Sequence, residues 1–140
     1  MNSVTVDIRA RLIPELRKKI DAALKSTAQF IVSSNIEAVQ TQQTPNGEPQ
    51  KQNHPGYAKK KLSLFGHSIP LLAKESSFIT AANYRIEAYT SGDSFGYIIL
   101  PPDRRADIID ELRDMGYALF EIPESAVDYI KANLATQGVI

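Results

Sequence analysis

The chain has 140 residues, 43% of them hydrophobic, enough to bury a single core, so one domain spanning residues 1–140 is expected. It holds no cysteine, which excludes disulfides, thiol nucleophiles and cysteine-ligated zinc. Net charge is zero but unevenly placed: residues 1–75 carry 11 Lys+Arg against 6 Asp+Glu, and residues 76–140 carry 5 against 10.

In chain order, Val4-Thr5-Val6-Asp7-Ile8 alternates in part and reads as a short strand or an extended lead-in. A long helix is expected from about Ile13, with Pro14 in the first turn, where its missing N–H costs nothing. Leu16, Ile20, Ala23, Leu24, Thr27, Phe30, Ile31, Ser34 and Ala38 recur every three or four residues and make one apolar stripe. Lys18, Lys19 and Lys25 lie off it. The stripe thins after Ile31, and the helix is expected to fray near Gln42, before Pro45.

Residues 43–74 read as an extended arm. Pro45, Pro49, Pro55 and Pro70, with Gly47, Gly56 and Gly66, stop any long helix there. Pro45-Asn46-Gly47-Glu48 has turn chemistry. Residues 56–65 suit a short helix with Lys59, Lys60 and Lys61 on its exposed side, and residues 69–73 are apolar enough to pack back. The arm's length and its apolar second half predict a partner-contacting element, mobile in the free chain and ordered on assembly.

Period-two patterning follows. Residues 77–80 form one candidate strand. Tyr84, Ile86 and Ala88 share one face of the next, Gly92 sits in a hairpin loop, and residues 95–100 return until Pro101-Pro102 ends the strand. Asp103 is a candidate cap for a helix running to Met115, with Ile108, Leu112 and Met115 along one side, Ile109 beside them, and Gly116 just past its end. Residues 117–122 read as a short strand. Pro123 opens a last helix with Val127, Ile130 and Leu134 as its buried face, and Gly138 ends it. The fold class is α+β: a long N-terminal helix, an extended arm, an antiparallel β-hairpin or sheet, and two shorter C-terminal helices.

No residue set announces a reaction. His54 and His67 are the only histidines, they lack a helical ligand spacing, and no third ligand accompanies them, which favours a structural or solvent role over a metal. Asp103, Asp107, Asp110, Glu111 and Asp114 recur along one helix face. Two-metal sites cluster carboxylates as well, but they draw them from several elements, so a solvated face explains these better. Phosphate-binding loops and nucleophile elbows are missing. No catalytic, cofactor or metal residue is therefore expected. No run approaches the roughly 20 apolar residues of a membrane span, and the first residues lack a signal-peptide core. The expectation is a soluble protein, made in a cytoplasm, with no membrane partner.

Thr44-Pro45-Asn46-Gly47-Glu48-Pro49, Pro55-Gly56-Tyr57-Ala58-Lys59-Lys60-Lys61, Ile69-Pro70-Leu71-Leu72 and Phe120-Glu121-Ile122-Pro123-Glu124-Ser125 stand in an order that resembles the neck and tail-completion proteins of long-tailed double-stranded DNA bacteriophages. The chain departs from that pattern at Lys74-Glu75-Ser76, where a glycine is usual, and it lacks the Arg-Pro-Phe element before the last helix. The resemblance implies a structural virion protein, made in the host cytoplasm. It would form a ring of identical subunits at the head-to-tail connector, with neighbouring connector or tail proteins as partners and DNA passing through the lumen. A second expectation is a small nucleic-acid-binding or regulatory module that uses Lys59, Lys60 and Lys61. For the ring, the uneven charge suggests one subunit's Lys18, Lys19 and Lys25, or its Lys59, Lys60 and Lys61, facing the next subunit's Asp107, Asp110, Glu111 and Asp114. The bland reading of the same charges is that solvated faces differ by chance.

Overall fold

The computed structural model describes residues 3–9, 13–65, 84–101, 106–118 and 120–140, with only the backbone of Arg9, Phe65 and residues 106–108. In order the elements are β1 (Val4–Arg9), α1 (Pro14–Thr41), α2 (Pro55–Phe65), β2 (Arg85–Ser91), β3 (Ser94–Leu100), α3 (Ala106–Asp114) and α4 (Ser125–Thr136). The expected α+β class holds. The candidate strand at 77–80, the Asp103 cap, the apolar run at 69–73 and His67 lie outside the described residues.

The sheet is antiparallel in the order β1-β3-β2. The opening alternation is a strand after all: Val4, Val6 and Ile8 stand opposite Ile99, Tyr97 and Phe95 of β3. On the other side Ile86 stands opposite Ile99 and Ala88 opposite Tyr97. One face of the sheet is thus a grid of apolar rows, as period-two patterning requires. Phe95, Tyr97 and Ile99 are buried at its centre, whereas Ala88 on the edge strand is exposed. Gly96 is required where it sits: a Cβ there would overlap the Val6 carbonyl oxygen and lie 2.6 Å from the Asp7 Cα. Asp7 and Tyr89 pair with Gly96 from opposite sides. Their side chains meet, the Tyr89 hydroxyl donating to Asp7 Oδ2, so one hydrogen bond spans the strand at its glycine.

Helix α1 has 28 residues, a rod of about 42 Å. Its N-terminal half lies on the sheet. Arg17 stacks 4.5 Å above the Phe95 ring, and the Tyr97 hydroxyl donates to Asp21 Oδ2 at 2.8 Å. Its later half receives α4, where the Phe30 and Tyr129 rings stack 4.1 Å apart and Tyr129 shares a 2.9 Å hydrogen bond with Ser26. The stripe does not thin after Ile31: Val32, Asn35, Ala38 and Val39 are buried too. The helix stops in a Schellman turn, with Gln42 taking the left-handed conformation (φ 58°) that glycine usually fills and the Gln43 N–H donating to the Ala38 carbonyl. Gly116 and Gly138 end α3 and α4 in the same way, at φ 97° and 76°.

Three expectations about the C-terminal part change. Among the described side chains of α3, Ile109 is fully buried and Leu112 half-buried, while Met115 just past the helix is exposed. Val127 is exposed as well, so α4 turns Ala126 inward, with Ile130 and Leu134 half-buried against the core. Among the described residues of 117–122 no strand forms. Phe120 there is buried beside Tyr84 and adopts φ 54°, a left-handed conformation that strains a bulky side chain and breaks any ladder.

Candidate functional site

The backbone groups of Met115, Ala118, Glu121 and Glu124 all find side-chain hydrogen-bond partners. The arm begins with a tight turn in which the Gly47 N–H donates to the Thr44 carbonyl at 2.9 Å and Gln43 bridges to Pro49. Asn46 on that turn accepts from the Glu124 N–H at 2.7 Å, where α4 starts without a side-chain cap of its own. Gln50 is buried and pairs both ways with Ala118: Nε2 donates to the carbonyl at 2.7 Å, and Oε1 accepts the N–H at 3.0 Å. The Lys51 ammonium donates to the Met115 carbonyl at the end of α3, where the helix dipole favours a cation, and lies 5.2 Å from the centre of the Tyr117 ring. The Tyr117 hydroxyl donates to Asn53 Oδ1 at 2.7 Å. Asn35 of α1 makes the same two-way pair with Glu121, at 2.7 and 2.9 Å. The run is antiparallel, 46 to 124, 50 to 118 and 51 to 115. It replaces the strand pairing that the sequence pattern predicts for residues 117–122. The first half of the arm is therefore latched within the single chain, not left free until assembly.

The latch presents α2. Pro55 takes the first helical position, and the ring of His54 accepts the Gly56 N–H through Nδ1 at 3.2 Å, so His54 caps this helix. The polarity of α2 departs from expectation at its last lysine. Lys61, one of the three lysines expected on its exposed side, is only 4% exposed, and burial lowers its pKa. Tyr57, Leu62 and Leu64 face outward, at 53%, 55% and 58% exposure. Lys59 and Lys60 are exposed, as expected. Among the described elements none packs broadly on α2.

An open cleft of about 680 Å³ lies along the C-terminal half of α3, lined by Asp110, Arg113, Asp114, Gly116, Tyr117, Ala118 and Glu121. A smaller hollow of about 480 Å³ shares Arg113 and Glu121 with it and reaches Ile122 and the start of β1. Three carboxylates outnumber one guanidinium in the cleft, beside the negative end of α3. Tyr117 forms part of its wall. Burial raises the pKa of its hydroxyl, and the nearby Tyr57 of α2 adds to the shift, so α2 starts at the lip.

The expected interface residues scatter over three places. Lys18, Lys19 and Lys25 are exposed on α1, and Lys59 and Lys60 on α2. Asp110 and Asp114 share the cleft, and Glu111 is exposed on the same helix. Asp107 lies on α3, with its side chain outside the described set. Glu121 was missed, because it belongs to no periodic charge pattern. Among the described residues no three His, Asp or Glu side chains come together as metal ligands, and no helix is long and apolar enough to cross a membrane. Comparison with family models, with curated proteins and with solved structures gives no match.

Proposed function

We propose that this chain is a structural subunit of a bacteriophage head-to-tail connector, a neck or tail-completion protein that self-associates into a ring and does its work by binding, not catalysis. The observation that carries the reading is α2: a helix held out by a latched arm, with leucines in solvent and a lysine inside. Such a helix is built to be covered, because exposed leucines gain about 25 cal/mol for each Å² removed from water. The order of sequence pieces that resembles tail-completion proteins adds the phage context. It makes connector and tail proteins the neighbours, with DNA in the lumen and the virion as destination. The nucleic-acid reading weakens with the burial of Lys61, which cuts the lysine patch to Lys59 and Lys60.

The test is sedimentation velocity of the purified protein, with negative-stain electron microscopy of the fastest species. A discrete closed ring is expected. A monomer at every concentration, or tight binding to duplex DNA without self-association, would overturn the proposal.

A further inference from the structure

The geometry points to α2 as the element that docks in trans: its face of Tyr57, Lys60 and Leu64, spaced at i, i+3 and i+7, seats in the cleft beside α3 of a second copy of this chain. The inference rests on the self-association proposed above and names its two surfaces.

Three observations carry it. The first is polarity. Tyr57 and Leu64 of this face are exposed within their own chain while Lys61 of the same helix is buried, so the face needs an occupant that the described parts of the same subunit do not supply. The second is charge. The face carries Lys60, with Lys59 next to it in the chain, and the cleft carries Asp110, Asp114 and Glu121 against Arg113. Complementary charge sets orientation and speeds encounter. The third is that the end of α3 next to the cleft already receives a cation: Lys51 donates to the Met115 carbonyl, one residue before Gly116 of the cleft wall. Beside the acids the surface is apolar, with Ile122 lining the adjoining hollow and Met115 exposed at the end of α3.

Each subunit then offers one knob, the outward side of α2, and one socket, the cleft beside α3. That contact is heterologous, and it closes into a ring when the rotation per subunit allows. The lysines of α2 do this work, and Lys18, Lys19 and Lys25 on α1 are spectators.

The chain's lack of cysteine gives a clean background for the test. L64C and D114C are made as separate proteins, both at exposed positions, and mixed under mild oxidation. A disulfide-linked two-chain species is expected in the mixture and in neither protein alone. In parallel, K59E/K60E should weaken self-association at low salt by about tenfold, from two exposed pairs reversed. Mixing it with D114K/E121K should restore most of that loss, while K18E/K19E should leave association unchanged. No crosslink in the mixture while the wild-type chain still sediments as an oligomer would overturn the docking and spare the ring. L64C crosslinking to itself would also overturn it, because the contact would then be two-fold symmetric. A wild-type chain that stays monomeric overturns both readings.

Discussion

At the scale of single residues, two buried carboxamides decide how the C-terminal half is held. Asn35 and Gln50 each give a backbone segment the donor and acceptor that a neighbouring strand would otherwise give. Buried polar groups are costly only when unpaired, so these residues matter most through what their loss would expose. Asn35→Ala leaves both the N–H and the carbonyl of Glu121 without this partner and should cost about 2–4 kcal/mol of stability. Asn35→Asp should cost at least as much, because a carboxylate cannot donate to the Glu121 carbonyl. Urea denaturation measures both, and a loss below about 0.5 kcal/mol would mean the clamp is dispensable. Tyrosines give a pH signature. Burial, then the hydrogen bond to Asp21 and its charge, push the Tyr97 hydroxyl up to about 12, and burial raises Tyr84 and Tyr117 as well. An acid whose pKa is raised by folding stabilises fully below its unfolded value of about 10, and that contribution is lost as pH climbs through the folded value. Lys61 works with the opposite sign: its charged form costs stability below its lowered pKa, and the cost fades as pH rises towards the ordinary lysine value. Stability should therefore fall between pH 10 and about 12, and Tyr97→Phe should flatten that fall. Denaturation midpoints across this range check it; an identical slope in the variant would remove Tyr97 from the account.

At the scale of elements, the sequence was readable wherever periodicity meets burial. The stripe from Leu16 to Ile31 gives α1, and alternation gives β1, β2 and β3, because a helix on a sheet must turn one face inward. The stripe's continuation was hidden because Asn35 is polar by type yet buried by role. The strand expected at 117–122 failed for the same kind of reason. Its apolar spacing is real, but its partners are side chains scattered from Asn35 to Asn53, and no local pattern records them. Lys61 defeats composition in the same way, since a lysine run is read as solvent-facing and this one is turned inward at its end. Half of the candidate site was legible as charge, namely Lys59, Lys60, Asp110 and Asp114. The latch and Glu121 were not. The latch changes what limited proteolysis should show. The Lys51 ammonium is engaged at the end of α3, and its flanks are tied down through Gln50 and Asn53. Helix α2, with 11 residues and little to lean on, should fray easily. Trypsin should therefore cut the free chain after Lys59 and Lys60 well before Lys51, and assembly should slow cleavage at the first two sites selectively. Mass spectrometry of timed digests shows the order; cleavage at Lys51 as fast as at Lys59 would mean that the arm is not latched.

At the scale of the whole molecule, charge and apolar surface would divide the work of the proposed association. The basic first half and acidic second half cancel to zero net charge, so nothing opposes close approach of identical chains at long range. Exposed ion pairs contribute about 0–1 kcal/mol each, too little to hold subunits together, whereas the outward leucines of α2 contribute through burial. Charge should thus govern how fast and in which register subunits meet, and apolar contact should govern how long they stay. Raising ionic strength from about 0.01 M to about 0.15 M shortens the screening length from about 30 Å to about 8 Å. The association rate should fall over that range while the dissociation rate changes little. Reversing the acidic side with D110K/E111K should slow association at low salt to the high-salt rate or below it, and Leu64→Ser should instead raise the dissociation rate with the association rate nearly intact. Stopped-flow light scattering on the protein under assembly conditions separates the two. An association rate independent of salt, or a Leu64 variant that dissociates like wild type, would show that the proposed ring is held by other surfaces.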